Sequence, residues 1–461
     1  MGIRQQDRTV YDGNDISSPT VATECVYMVA GIAAMERRKV ITVDIAGAYL
    51  KGSFKEKAEP IHMKLDAKVA ETLCVINPGY EVYRLSDGTM YVELLKPLYG
   101  LIEAAQLWYI NITTTLKDAG FVQNPYDKCV WNRMFGEDQQ TIVIHVDDLK
   151  ITCKNDDANK DIVRILRKKY KDVTVNEGVV HSYIGITFDY STPGKVLLTQ
   201  EGYTGDLILH YEIKSAVKTP AGDDLFTIDV TSPLLSSEKA EEFHTLSAKL
   251  LYLSKRTRPD IQVAVSFLTS RVQCATEQDA KKAARVLRYL FGTRHLGIVI
   301  EPDKSVFCVR SYIDASYGVH LDGRSHTGVT ISLGKGPVMT KSTKQKIATK
   351  SSTEAELIAL SDSSSLVIWT RNFLEEQGYK MPPAQIFQDN TSTIAMVKAG
   401  VPTSDRTRHI AIRFFFIKDR VDAGEVDITY VPTKDMQADI LTKPLQGELF
   451  LKLRKELLNY E

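Results

Sequence analysis

The chain has 461 residues with equal numbers of basic and acidic side chains, 43% hydrophobic and 25% charged. That length exceeds one ordinary hydrophobic core and implies two or three domains, with the composition of an ordinary globular protein. Six scattered cysteines lack a C-x-x-C pair or a histidine at finger spacing, which speaks against a zinc site and for a reducing compartment. No apolar run reaches bilayer length and no secretory leader opens the sequence.

In chain order, residues 21–38 read as a helix behind the Ser17-Ser18-Pro19 stop. Residues 40–45 form a strand with Ile41, Val43 and Ile45 on one face and Thr42 and Asp44 on the other. A strand over 91–95 and a helix over 104–119, closed by Gly120, come next. Strands over 141–146 and 149–153 meet at Asp147-Asp148 as a hairpin, and a helix over 158–170 follows. Residues 183–190 and 195–199 form a second hairpin through Ser191-Thr192-Pro193-Gly194. The polar, proline-punctuated stretch 220–237 is a linker or a long loop, followed by helices over 237–253, 259–273 and 277–291 and a boundary within 292–305. Strands over 306–313, 327–333 and 337–341 then come in quick succession, as in a meander. A long helix over 352–377, a strand over 384–387, helices over 391–399 and 410–423, a strand over 426–431 and a helical region from Met436 complete a strand-led α/β domain.

Seven acids lie against apolar secondary structure in two constellations: Asp44, Asp147 and Asp148, then Asp314, Glu356, Asp389 and Asp439. Desolvating a carboxylate is expensive unless it is paired or holds a cation. Two such groups imply two metal-dependent phosphoryl-transfer sites. On the long helix Glu356 shares a stripe with Leu360, Val367 and Leu374 while Glu354 points away, so Glu356 is assigned to the cluster and Glu354 to the helix macrodipole. Zero net charge argues weakly against a nucleic-acid binder, yet basic residues gather locally. The groups are Arg164 to Lys171, Lys255 to Arg258, Lys281 to Arg288, Lys341 to Lys350, and Arg406, Arg408 and Arg413. Each is either a phosphate-binding field or a solvated helix face.

The strings Val43-Asp44-Ile45-Ala46-Gly47-Ala48-Tyr49-Leu50, Leu98-Tyr99-Gly100-Leu101 with Trp108-Tyr109, and His145-Val146-Asp147-Asp148 resemble, in order and spacing, the reverse transcriptase motifs of copia-type LTR retrotransposon Pol polyproteins. Lys249-Leu250-Leu251-Tyr252-Leu253 with Thr257-Arg258-Pro259-Asp260 resembles the segment joining polymerase to ribonuclease H. Further on, Ser352-Thr353-Glu354-Ala355-Glu356-Leu357, Gln388-Asp389-Asn390, Arg408-His409-Ile410 and Ala438-Asp439-Ile440-Leu441-Thr442-Lys443-Pro444 resemble the ribonuclease H of the same family.

The resemblance implies an α/β (α+β) chain: a right-hand polymerase of palm, fingers and thumb, followed by a ribonuclease H-like mixed-sheet domain. Its segments would be truncated fingers and palm over 1–199, thumb and connection over 200–303, and the nuclease over 305–461. Asp44, Asp147 and Asp148 would hold two Mg²⁺ for nucleotide addition, and Asp314, Glu356, Asp389 and Asp439 two more for hydrolysis, with Mn²⁺ as a substitute. Tyr49 would be the aromatic gate against a ribose 2′-hydroxyl, and the hairpin around 187–198 the primer grip. The implied partners are an RNA template, a DNA primer, the RNA–DNA hybrid, dNTPs and other segments of a parent polyprotein. The implied location is a cytoplasmic virus-like particle with nuclear entry, with no membrane association. Three departures stand out. Ile102-Glu103 replaces the usual Lys-Gln, bringing a carboxylate toward a triphosphate; His145 replaces an aromatic; and the loop before Asp439 has Lys434 but no histidine. The start also reads as that of a fragment, without the basic fingers strand. The alternative is a decayed or domesticated copy that binds nucleic acid without polymerising, or with only its nuclease active.

Overall fold

The computed structural model describes residues 18–54, 60–400 and 411–460. The first helix, α1 (Thr23–Met35), is buried from Cys25 to Ala34 on every side, as befits a helix inside a core. Arg37, with φ of 55°, turns the chain into β1 (Lys39–Ile45). β2 (His62–Leu65) precedes α2 (Ala67–Ile76) and pairs with β3 (Met90–Glu93). The sequence reading had neither β2 nor α2. Val75 and Ile76 of α2 are largely exposed, which blurs the amphipathic stripe that identifies a helix.

α3 (Ala104–Asp118) stops before Gly120, whose φ of 84° suits a helix-terminating glycine. Then come β4 (Val122–Asn124), β5 (Asp127–Phe135), β6 (Asp138–His145), β7 (Asp148–Cys153), α4 (Asp156–Tyr170) and β8 (Val173–Asn176). The six-stranded sheet runs β4-β5-β6-β7-β1-β8 and is antiparallel throughout. β1 thus lies between two strands that follow it by a hundred residues or more, which puts Asp44 beside the β6–β7 turn. Trp108, Ile112 and Leu116 of α3 and Ile162, Leu166 and Tyr170 of α4 bury that face against Ile41, Val43 and Ile45.

The strand expected over 183–190 is two strands, β9 (Val180–Tyr183) and β10 (Ile186–Asp189), because Ile184 and Gly185 take φ of 50° and 75° and reverse the chain. β11 (Val196–Thr199) completes that meander. Four helices follow: α5 (Glu201–His210), α6 (Ser237–Ser254), α7 (Gln262–Ser270) and α8 (Glu277–Gly292). A reciprocal Thr276–Asp279 capping box opens α8. The segment read as a boundary, 292–305, carries a strand, β12 (Ile298–Pro302). Its buried Ile298 and Ile300 pair with Leu198 and Val196.

The last sheet takes β13 (Arg310–Ser316), β14 (Arg324–Ser332) and β16 (Pro337–Ala348), with β15 (Gly334–Lys335) diverted to β12. After α9 (Ser352–Glu376) come β17 (Ala384–Gln388), α10 (Thr391–Ala399), α11 (Ala411–Asp422), β18 (Val426–Tyr430) and α12 (Gly447–Leu458). Strand order is β16-β14-β13-β17-β18, antiparallel among the first three and parallel from β13 to β17 to β18. The parallel steps need crossovers, which α9, α10 and α11 supply. The architecture is the expected α+β arrangement, with helix-backed antiparallel sheets followed by a mixed sheet. One hydrophobic core runs from α1 through β10–β12 into β13, β14 and α9. No described helix is long and apolar enough to cross a membrane.

Candidate active sites

β1 and β7 pair so that Asp44 lies opposite Asp148, and β6 and β7 pair His145 with Asp148. The hairpin connection is therefore Val146-Asp147, one residue earlier than expected, and Asp148 opens β7. Val146 sits at φ of 57°. A β-branched residue there costs about 1–3 kcal/mol and persists only where its surroundings enforce it. The Trp108 indole N–H does so by donating to the Val146 carbonyl at 2.6 Å. Asp44 is exposed, and Asp147 and Asp148 are half-buried. Burial, then Asp147 and Asp44, raise the Asp148 carboxyl above its usual range, with His145 opposing.

Tyr49 follows Gly47 (φ 63°) on a short 3₁₀ turn, its ring centre 5.2 Å from that of Tyr99. Burial, Tyr99 and Asp147 raise its hydroxyl pKa, which puts it within the field of the acids. The His145 ring packs edge-on to Tyr183 at 6.5 Å, and its Nδ1 has no hydrogen-bond partner among the described residues. Glu103, read as facing a triphosphate, is 3% exposed at the N-cap position of α3, so its carboxylate is not on an open surface.

The second constellation is tighter. Asp314 lies on β13 two residues before its end, Glu356 projects from the first turns of α9, and Asp389 follows β17. Oxygens of the three lie within 4.8 Å of one another. The parallel β13–β17 pair sets the two strand ends side by side, and α9 crosses above them. Asp439 comes from a 3₁₀ turn, Gln437–Leu441, packed on β13 and β14. Burial, Asp314 and Asp389 hold the Glu356 carboxyl well above its usual range, although the Ala315 N–H and Gln388 donate to it. Burial also raises Asp314, against Lys443 and Thr442. Burial and Asp314 push Asp439 up to about 7. The cluster is thus rich in oxygen ligands and poor in compensating charge, the donor set that a hard divalent cation requires.

Several supporting residues were missed by the sequence reading. The Lys443 ammonium sits 2.6 Å from Asp439 and 3.7 Å from Asp314. Thr442 donates to Asp314, and Thr433 to Asp389 at 2.7 Å. The Gln388 side chain accepts from the N–H groups of Asp389 and Asn390 and donates to Glu356 at 3.3 Å, joining two of the acids. A Cβ on Gly328 would stand 2.6 Å from Thr442 Cγ2 and 2.8 Å from the Ala438 carbonyl, so only glycine lets β14 approach the Asp439 turn. Glu354 stays outside the cluster; its carboxylate accepts from the Lys350 N–H at 2.7 Å while Ser351 caps its own N–H.

The basic groups divide. Arg258 is buried in an ion pair with Asp260. Lys282 donates to the carbonyls of Leu225 and Thr227 in the 220–237 stretch, while Arg285 donates to Thr219 and Arg288 to Ser215 just before it. Lys434 is exposed on the turn before Asp439. Arg406, Arg408 and His409 lie outside the described residues.

The structure thus carries two groups of carboxylates, one on an antiparallel and one on a mixed sheet. Residues 1–221 match the family described as reverse transcriptase (RNA-dependent DNA polymerase). Nearly the whole chain is similar in sequence to transposon Pol polyproteins, the resemblance that its motifs carry. It is 29% identical over 451 residues to the retrovirus-related Pol polyprotein from transposon RE2 of Arabidopsis thaliana, covering 95% of this chain and 29% of that protein. It is 27% identical over 457 residues to that from transposon TNT 1-94 of Nicotiana tabacum, covering 97% and 33%. The chain therefore spans a third or less of the length of these relatives. Solved structures with similarity include RNase H1 from the archaeon Halobacterium salinarum NRC-1, with 19% identity, TM-score 0.21, and coverage of 29% of this chain and 93% of that one. Another is the prototype foamy virus protease–reverse transcriptase, with 12% identity, TM-score 0.23, and coverage of 89% and 45%.

Proposed function

We propose that the chain is an RNA-directed DNA polymerase joined to a ribonuclease H, which copies retrotransposon RNA into cDNA and degrades the RNA strand behind it. The late cluster carries this reading: three carboxylates with oxygens within 4.8 Å, two of them buried, repel one another as anions, and Lys443 beside Asp314 and Asp439 supplies a single positive charge against four acids. Two Mg²⁺ per site, or Mn²⁺ in their place, would supply the charge neutralisation that phosphoryl transfer demands. Asp314, Glu356, Asp389 and Asp439 would be the ligands in the nuclease, with Gln388 and Thr442 orienting them. Asp44, Asp147 and Asp148 would be the ligands in the polymerase, with Tyr49 beside them to reject a 2′-hydroxyl. Residues 1–199 serve as fingers and palm, 200–303 as thumb and connection, and 305–461 as the nuclease on this reading. The substrates are an RNA template, a DNA primer, dNTPs and an RNA–DNA hybrid. The setting is a cytoplasmic particle, with nuclear entry, in which other polyprotein segments are partners.

The test is Mg²⁺-dependent extension of oligo(dT) on poly(rA), run beside cleavage of a labelled hybrid. Replacing Asp147 and Asp148 with Asn abolishes extension and spares cleavage; Asp314→Asn or Asp389→Asn does the reverse. Loss of both activities in either folded variant contradicts two independent sites. A nuclease-only chain is favoured by one observation: among the described residues, Asp314, Glu356 and Asp389 converge within 4.8 Å, whereas Asp44, Asp147 and Asp148 do not. Cleavage without any extension supports that second reading.

A further inference from the structure

Between the first turn of α1, the end of α6 and β16 lies a cavity of about 90 Å³, lined among others by Thr23, Glu24, Tyr27, Lys255, Arg256 and Thr340. It is far below the roughly 300–1,000 Å³ of sites for drug-sized ligands. Tyr27 is 3% exposed, yet its hydroxyl has no hydrogen-bond partner among the described residues. Arg256 stacks 3.8 Å from the centre of the Tyr252 ring, and its buried Nε likewise lacks a partner there. The Thr340 hydroxyl oxygen accepts from Gln262 at 2.8 Å, which turns its own proton elsewhere. At the start of α1 the Ala22 N–H donates to the Asp127 carboxylate at 2.9 Å, while Ala22 itself offers no side-chain cap and the N–H groups of Thr23 and Glu24 have no intrahelical acceptor.

We infer that this notch binds a phosphate oxyanion, either a backbone phosphate of a nucleic-acid strand or free inorganic phosphate. Beyond the Ala22 N–H that Asp127 takes, the first turn of α1 still offers the N–H groups of Thr23 and Glu24 at the positive end of the dipole. Lys255 and Arg256 supply charge-assisted donors, and the Tyr27 hydroxyl gains the acceptor it lacks. Glu24 is the one acid in the lining, and Lys341 lies close enough to Lys255 to act on it electrostatically. A cavity of this size has room for a tetrahedral anion. It lies at the seam between α1 and β16 of the last sheet. A nucleic-acid source for the phosphate rests on the proposed function, whereas the anion site does not.

Thermal unfolding of the full chain in inorganic phosphate, against sodium chloride at equal ionic strength, tests the notch. The unfolding temperature rises with phosphate, and the increment shrinks in Tyr27→Phe and disappears in Lys255→Gln. Equal temperatures in the two salts for the unaltered chain overturn the inference, as do undiminished increments in both variants. A second arm measures binding of a short RNA–DNA hybrid as a function of salt. If a backbone phosphate is the source, Lys255→Gln weakens binding and lowers the logarithmic salt slope by about 1. Phosphate stabilisation with unchanged hybrid binding identifies the free anion. If the unaltered chain binds no hybrid, the proposed function falls while the phosphate arm still decides the notch.

Discussion

Asp44 and Asp148 stand directly opposite each other across the β1–β7 pair, an arrangement of like charges that a sheet tolerates poorly. The cost appears in the Asp148 carboxyl, which burial, Asp147 and Asp44 raise. A carboxyl raised on folding keeps a proton that the unfolded chain releases, so stability falls as pH rises toward its folded pKa. Asp148→Asn is therefore expected to raise the unfolding temperature, more at pH 8 than at pH 4, while abolishing primer extension. A variant less stable than the parent at pH 8 would show that the pair is not a source of strain.

The nuclease cluster gives a metal-dependent version of the same argument. Asp439 rises from 3.8 to about 7, so without divalent cation the chain loses stability as pH climbs through that interval. Cation binding competes with protons for the same oxygens. Added Mg²⁺ is expected to raise the unfolding temperature more at pH 8 than at pH 6, and Asp314→Asn to remove most of the difference. Equal increments at both pH values in the parent chain would contradict this.

Gly328→Ala probes the approach of β14 to the Asp439 turn. The added methyl meets the Ala438 carbonyl, Thr442 and Leu441, overpacking of a kind that costs about 1–3 kcal/mol. Hybrid cleavage is expected to drop at least tenfold while extension stays within twofold, about 1.4 kcal/mol being a factor of ten in rate. Equal losses in the two assays would mean that the strain spreads beyond the nuclease.

Asp260 accepts from Arg258 at 3.0 and 2.7 Å and from the Tyr289 hydroxyl at 2.5 Å, wholly inside the helical layer. Asp260→Ala strands a buried guanidinium and is expected to cost about 3–5 kcal/mol, measured by denaturant unfolding. Replacing Arg258 and Asp260 together with apolar residues should recover much of that loss.

Local patterning made much of this legible. The stripe through Glu356, Leu360, Val367 and Leu374 is buried as the helical period requires, and the Gly120 stop is where composition put it. The hidden parts depend on partners distant in sequence. Nothing in 292–305 tells that Ile298 and Ile300 will pair with a strand a hundred residues earlier, and a left-handed Ile184 is invisible to a period-two pattern. Lys443 could have been found from its i,i+4 spacing to Asp439. Gln388 could not, because joining Glu356 to Asp389 is a property of three elements meeting.

The continuous apolar interior that links α1 to β13 and α9 through β12 has a practical corollary for anyone dissecting the molecule. Severing the polypeptide after residue 303 would peel two greasy surfaces apart and leave β15 without its mate. Separately expressed halves are thus expected to clump when alone and to recover solubility when made together.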